Sequence, residues 1–145
     1  MPTNDLKERL LNNLRTNTYC LIKPSKINGV GVFAVRTIPS NTDPFMLSDG
    51  QSKQYITIDL VKDDLSKVPK SIVKLLDKYF LTSDDIYPVI SYGLNDMDIS
   101  FYINHSKKPN IKFIENPIND LLEFRTIKKI KPGEELLVDY SKDAE

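Results

Sequence analysis

Apolar and polar residues alternate along the C-terminal third of the chain, in short segments separated by turn residues. These segments are 111–114, 121–127 and 136–138, and the last comes after a turn at Pro132 and Gly133. Alternation with a period of two is typical of strands that bury one face. Regularly spaced short strands with few helices favour a mainly β protein, built as a small barrel or sandwich.

Three more strands are predicted in the N-terminal half. Residues 19–22 are rich in β-prone side chains, and residues 55–60 alternate as a half-buried strand. A turn at Gly29, Val30 and Gly31 immediately precedes an apolar strand that reaches residue 35. The turn is either an ordinary hairpin or a place where the backbone approaches a ligand. It lacks the third glycine and the following helix of a dinucleotide-binding loop.

Two stretches have helical periodicity. Asp5 is predicted to cap a short helix in which Leu6, Leu10 and Leu14 share one face. We expect this face to pack on the domain or on a partner, or the helix to act as a lid over a ligand site. A second helix is predicted after Pro69. Its apolar stripe, expected in the core, consists of Ile72, Val73, Leu75, Leu76, Tyr79 and Phe80.

Composition limits the class of protein. A chain of 145 residues is predicted to form one domain with a real core. Lys plus Arg and Asp plus Glu balance at 20 each, which argues against wrapping of nucleic acid. The single cysteine, Cys20, forms neither an internal disulfide nor a zinc cluster, which favours a reducing compartment. With no membrane-length apolar run, we expect a soluble, intracellular protein.

His105 is the only histidine, and it lies between Asn104 and Ser106. A metal role is weakly supported because no second or third ligand lies nearby, and a hydrolase based on Ser106 lacks partners at a known spacing. A core histidine is the simplest interpretation of these residues alone. Acidic residues at 82–85 and 95–98 surround Tyr87 and Tyr92. They form either a solvated surface or a groove for a basic, lysine-bearing peptide.

Three motifs, in order, resemble those of the SET domain, the S-adenosylmethionine-dependent protein-lysine methyltransferase family. They are Gly29-Val30-Gly31, then Asn104-His105-Ser106 followed by Pro109-Asn110, then Gly133-Glu134-Glu135-Leu136 ending in Asp139-Tyr140. The resemblance runs from about Tyr19 to Tyr140 and implies a SET-domain β-clip with a pseudoknot around the Asn-His segment. Physics alone would not propose a threaded chain.

The resemblance also implies the site. The cofactor is expected to contact Gly29, Val30, Gly31, Phe101, Tyr102, Asn104, His105 and Tyr140. Tyr140 matches the catalytic tyrosine, and Tyr87 and Tyr92 are candidates for a second one. Phe113, nine positions after Asn104, matches a site that sets the number of methyl groups added. No metal is expected.

The implied layout is an N-terminal helical extension at 1–18 and a SET domain at 19–145, with a variable, substrate-contacting insert at about 47–92. Many family members carry a cysteine-rich segment after the last strand, whereas only residues 141–145 follow Tyr140 in this sequence. The chain thus resembles minimal, virus-like members. We expect the N-terminal helix or a second subunit, in a homodimer, to close the lysine channel. Lys107 replaces the family's cysteine without removing a cofactor contact.

These implications predict a methyltransferase that acts on lysine in a protein, with a histone tail as the first choice. The alternatives are a catalytically weak module that binds a peptide or partner, and an enzyme for a non-histone protein or a small amine. The expected location is the nucleus or cytoplasm, of a host cell if the protein is viral. Neither direct nucleic-acid binding nor membrane association is expected.

Overall fold

The computed structural model describes residues 2–115 and 122–142, and the chain divides into two compact units. The first unit comprises residues 1–54 and 102–145, and the second comprises residues 55–101. The helices are α1 (Pro2–Thr16) and α2 (Lys70–Tyr79). The strands are β1 (Cys20–Pro24), β2 (Val30–Ala34), β3 (Thr57–Leu60), β4 (Tyr87–Ile90), β5 (Asn104–His105), β6 (Ile111–Glu115), β7 (Leu122–Thr126) and β8 (Leu137–Val138). The prediction of a mainly β chain with short helices is confirmed.

Short strand pairs make up the first unit. β1 and β2 form the antiparallel hairpin predicted around the glycine turn, with Cys20 opposite Ala34. β6 and β7 are antiparallel, and β5 runs parallel to β8. Two strands that are parallel and far apart in sequence need a long connection, and here that connection contains the β6–β7 pair.

The core of the first unit consists mostly of β-branched and leucine side chains. Ile38 and Ile130 are fully buried and face each other across an isolated antiparallel bridge. Val32, Ile111 and Leu136 are also fully buried. Each such side chain contributes roughly 1.5–3 kcal/mol relative to an exposed one, so these five residues are the main support of the strand pairs.

The segment at 134–138 lies between β2 and β5. On one side, the amide of Leu136 donates to the carbonyl of Val32 at 2.7 Å, and the amide of Ala34 donates to the carbonyl of Glu134 at 2.9 Å. On the other side, β8 forms the parallel pair with β5. The last motif is therefore held against both earlier motifs.

Asn110 fastens this segment with both ends of its amide. Its Nδ2 donates to the carbonyl of Glu135 at 2.8 Å, and its Oδ1 accepts from the amide of Leu137 at 2.8 Å. The residue is buried, and no buried side-chain nitrogen or oxygen in the described part of the chain lacks a partner. These two side-chain hydrogen bonds stand beside the backbone bond from the amide of Asn110 to the carbonyl of Leu137 at 3.0 Å.

The second unit has its own apolar cluster, formed by Leu65, Leu76, Phe80, Tyr87, Val89 and Ile90. The prediction of a core stripe on α2 is confirmed for Leu76 and Phe80, whereas Leu75 is 41% exposed. The half-buried strand predicted at 55–60 is wrong in its burial: β3 is exposed at its first three positions, with Ile58 53% exposed. Alternation identifies residues that share a face, but it does not show that anything covers that face.

The N-terminal helix begins earlier than predicted. α1 starts at Pro2, and Asp5 lies inside it, where its carboxylate pairs with Arg9 at 2.8 Å. Leu6, Leu10 and Leu14 are each at least half exposed, so the expectation that their face packs on this domain is wrong. Packing on a partner stays a prediction. Neither α1 nor any other helix in residues 2–115 and 122–142 has the length and apolarity to cross a membrane.

Candidate active site

Asn104 connects β5 to the glycine turn. Its side-chain nitrogen Nδ2 lies 3.1 Å from the carbonyl of Val30 and 3.3 Å from the carbonyl of Asn28. Gly29 has a φ of 50°, in the left-handed region where glycine is favoured. The turn therefore brings two carbonyl oxygens to the first asparagine of the second motif.

The last motif reaches the same point through Glu135. Its Oε2 accepts from Asn104 Nδ2 at 2.8 Å, and the hydroxyl of Ser25 donates to its two oxygens at 2.8 and 3.0 Å. The carboxylate lies against Gly31, where an added Cβ would stand 2.9 Å from its Cδ. A side chain at position 31 would therefore displace the Glu135 carboxylate from its hydrogen bonds to Ser25 and Asn104.

His105 and Tyr140 are joined by a backbone contact. The amide of Tyr140 donates to His105 Nδ1 at 3.1 Å, and the two rings stack with centroids 6.3 Å apart. Accepting this bond requires an unprotonated Nδ1. The His105 side chain is 44% exposed, so the interpretation as a core histidine is wrong.

Asp139 supplies a buried negative charge beside this pair. Its Oδ1 accepts from the hydroxyl of Ser141 at 2.5 Å and lies 3.6 Å from Lys107 Nζ and 3.8 Å from His105 Nδ1. The Ser141 hydrogen bond, with help from the nearby Lys107 ammonium group, lowers the pKa of the Asp139 carboxyl. Asp139 therefore stays ionised and fixes the turn that carries Tyr140.

Tyr140 as a whole is 48% exposed, but its hydroxyl is hydrogen-bonded within the protein. It donates to the carbonyl of Ile103 at 2.7 Å, and burial raises its pKa to about 12. Its ring lies 6.0 Å from the ring of Phe113, which in turn lies 4.7 Å from Phe124. The result is a neutral phenol beside a carbonyl oxygen, with the phenyl ring of Phe113 next to its own ring.

Three of the remaining candidate residues belong to the second unit, and Tyr102 belongs to the first. Tyr87 is buried in the second unit and its hydroxyl donates to Asp77 at 2.6 Å, which raises its pKa. Tyr92 is 88% exposed. Phe101 stacks edge-on against Tyr55 within the second unit, and Tyr102 opens the final part of the first unit. The first unit thus brings together Gly29, Val30, Gly31, Asn104, His105, Phe113 and Tyr140. The roles of Tyr87, Tyr92, Phe101 and Tyr102 stay predictions.

Three residues that contact the site were not predicted from the sequence, namely Ser25, Ile103 and Glu135. Glu135 lies inside a recognised motif, which could have identified it. Ser25 bonds to Glu135 across 110 positions, and no motif in the sequence marks it. No group of three or more His, Cys, Asp or Glu side chains that could hold a metal occurs within residues 2–115 and 122–142.

A mainly β first unit in which an Asn-His strand, a glycine turn and a strand-end tyrosine meet defines the class of protein. The family model for the SET domain matches residues 29–141. The chain belongs to the SET-domain family. No curated protein matches it.

Solved structures agree on the fold. The methyltransferase domain of human PR domain-containing protein 2 aligns with a TM-score of 0.54 at 18% identity, over 93% of this chain and 86% of that one. A Plasmodium falciparum protein assigned as a histone methyltransferase aligns with a TM-score of 0.51 at 18% identity, over 87% of this chain and 96% of that one. A humanized, inhibitor-bound Chaetomium thermophilum Polycomb Repressive Complex 2 aligns with a TM-score of 0.52 at 20% identity, over 94% of this chain but only 18% of that one. At these identities the likeness concerns the fold.

Proposed function

We propose that this protein transfers a methyl group from S-adenosylmethionine to the side-chain amine of lysine in a protein, with a histone tail as substrate. The observation that carries the proposal is the meeting of three motifs in the first unit. Asn104 contacts the glycine turn, His105 contacts Tyr140, and the Tyr140 hydroxyl reaches the carbonyl of Ile103.

The residues present fit the cofactor. Two backbone carbonyls and the Glu135 carboxylate gather at Asn104 Nδ2. No hydrogen bond reaches Asn104 Oδ1 from the rest of the described chain, so that oxygen is an acceptor for the cofactor's ammonium group. Gly29, Val30, Gly31, Asn104 and His105 would hold the cofactor. When bound, it supplies an electrophilic methyl group on a sulfonium.

Lysine must lose its proton before it reacts, because its unperturbed pKa is about 10.4 and methyl transfer needs the neutral amine. Apolar surroundings disfavour the ammonium form. The rings of Phe113, Phe124 and Tyr140 supply such surroundings. A shift of about three units corresponds to roughly 4 kcal/mol, which a nearby positive sulfonium helps to supply without a dedicated base.

The phenol of Tyr140 orients the amine rather than removing its proton. With a pKa of about 12, it stays neutral throughout the physiological range; its one proton is donated to Ile103, and its oxygen keeps acceptor positions for an amine N–H. Its hydrogen bond to the Ile103 carbonyl fixes the rotation of that hydroxyl. The Ile103 oxygen can meet a polarised methyl group through weak C–H contacts.

A histone tail suits the charges of the chain. Such tails are basic, and acidic residues of the second unit at 82–85 and 95–98 offer complementary charge that steers association. One of the structural neighbours is assigned as a histone methyltransferase. The experiment is therefore designed to identify the substrate as well as the reaction.

The test is incubation with radiolabelled S-adenosylmethionine, a panel of core histones and a cell extract, followed by mass spectrometry of the labelled residues. We expect label on lysine of a histone, and we expect Tyr140→Phe to lose most of it. Label on a non-histone protein would keep the enzyme and change its substrate. Cofactor binding by calorimetry without any transfer would instead favour the alternative of a peptide-binding module.

A further inference from the structure

Glu135 is a charged side chain held inside the site by the backbone on both sides of it. Its carbonyl accepts from Asn110, and Leu136, which follows, is fully buried. The neighbouring Phe33 forms an antiparallel bridge with it. The direction of the side chain is therefore set by the fold, and its carboxylate lies against Gly31.

A carboxylate only accepts hydrogen bonds, so it dictates the polarity of its partners. Ser25 must donate its hydroxyl to Glu135, which leaves its oxygen to accept the amide of Ile27 at 3.0 Å. Asn104 must likewise present its amide nitrogen. The other two groups at that nitrogen, the carbonyls of Asn28 and Val30, are acceptors as well.

The orientation of the Asn104 amide follows from chemistry alone. If the amide turned over, its oxygen would face three acceptor oxygens, one of them charged, and lose hydrogen bonds of 2.8, 3.1 and 3.3 Å. Of these three hydrogen bonds, the one to Glu135 is the shortest. It is also the strongest, because its acceptor is charged. With Nδ2 fixed, Oδ1 is the atom left for a ligand.

We propose that Glu135 is a positioning residue that fixes the Asn104 amide so that its oxygen, and not its nitrogen, is offered to the ammonium group of the cofactor. Ser25 holds the carboxylate in place. The negative charge of Glu135 also favours a cation nearby. The inference rests on the proposed function for the identity of the ligand.

The decisive variant is Glu135→Gln, which keeps the shape but removes the charge and can present a donor to Asn104. Glu134→Gln is the matched control, because the exposed neighbouring carboxylate has the same charge and accepts from the amide of Lys131 at 3.1 Å, outside the Asn104 contacts. Ser25→Ala is a milder variant that keeps the charge and releases the carboxylate.

Calorimetry should use two probes that share the adenosine thioether. S-adenosylhomocysteine carries the ammonium group, and 5′-methylthioadenosine lacks the amino-acid end. We expect Glu135→Gln to weaken S-adenosylhomocysteine binding about tenfold or more and Ser25→Ala to weaken it several-fold. Binding of 5′-methylthioadenosine should change less than about twofold in both variants, and Glu134→Gln should leave both affinities unchanged.

Equal losses for both probes would indicate a structural effect and overturn the positioning role. Unchanged S-adenosylhomocysteine affinity in Glu135→Gln would overturn it too, and would leave the methyltransferase proposal intact. If the wild type binds neither probe, the proposed function fails and the ligand assigned here fails with it. A ligand-free readout is the side-chain amide signal of Asn104 in ¹⁵N NMR, which should move in Glu135→Gln and not in Glu134→Gln.

Discussion

Asn110 offers the sharpest test of how the fold brings its motifs together. Asn110→Ala removes both amide hydrogen bonds, each 2.8 Å long, that hold the segment at 135–137. It also leaves the carbonyl of Glu135 and the amide of Leu137 without their partners. A buried group left unsatisfied costs about 1–3 kcal/mol, so we expect a loss of roughly 2–4 kcal/mol of unfolding free energy for the pair.

Such a loss is large for a chain of this size, whose total stability is of the order of 5–15 kcal/mol. It should lower the melting temperature by about 5–15 °C. Urea unfolding followed by far-ultraviolet circular dichroism measures it directly. Asn12→Ala, at an exposed position of α1, is the control and should stay within about 0.5 kcal/mol of wild type. An Asn110→Ala variant as stable as this control would refute the role of Asn110 as a fastener.

Asn110→Asp separates the two hydrogen bonds. A carboxylate still accepts from the Leu137 amide, but it repels the Glu135 carbonyl where the amide nitrogen donated. Burial beside that carbonyl should raise the pKa of the new carboxyl above its unfolded value of about 3.9. The variant should therefore lose stability as the pH rises from about 4, and its deficit should shrink in acid. A deficit independent of pH would mean that the donor half of the amide contributes little.

Four further predictions concern the site and its surroundings. Tyr140→Phe should keep S-adenosylhomocysteine affinity within about twofold and lose most turnover, because it removes only the orienting hydroxyl; retained turnover would give the role to Tyr87 or Tyr92. Phe113→Tyr should shift products from di- or trimethyllysine toward monomethyllysine in mass spectra, since a phenol can hold a water where the next methyl would sit; monomethyllysine alone from the wild type would contradict this. Asp139→Asn should be less stable than wild type at pH 7, and the difference should vanish as the pH falls through the lowered pKa of the wild-type carboxyl. Thermal melts of both proteins over a series of acid pH values measure this difference. Burial raises the pKa of the Cys20 thiol to about 12, so iodoacetamide at pH 8 should label it slowly in the folded chain and quickly in urea.

Local patterns in the sequence predicted what local geometry decides. The glycine turn, the hairpin of β1 and β2, and the strands after Pro109 all follow from alternation and turn residues within a few positions. What sequence spacing could not predict is contact between distant segments. The bonds of Glu135 to Asn104 and Ser25 span 31 and 110 positions. The motif resemblance implied that the Asn-His segment is enclosed by a pseudoknot, but it did not specify the parallel pairing of β5 with β8.

Burial was the other source of error, for a related reason. Ile58 and Leu10 have the periodicity of covered faces, yet both are at least half exposed. Periodicity reports which side chains lie together, and the hydrophobic effect then favours covering them, but the covering element must come from elsewhere. The same limit applies to Tyr87, whose burial and bond to Asp77 could not be read from its acidic neighbours.

Asn104 has a structural role beside its proposed role in binding, and this decides which variants are informative. Asn104→Ala should abolish cofactor binding, but it also removes three hydrogen bonds that join β5 to the glycine turn and to Glu135. Its loss of binding therefore means little unless urea unfolding shows that the variant is folded. Glu135→Gln and Tyr140→Phe avoid this ambiguity, because the first preserves shape around the Asn104 amide and the second removes one oxygen. If Glu135→Gln weakens cofactor binding, and Tyr140→Phe lowers turnover without weakening binding, the cofactor end and the amine end of the site are distinct.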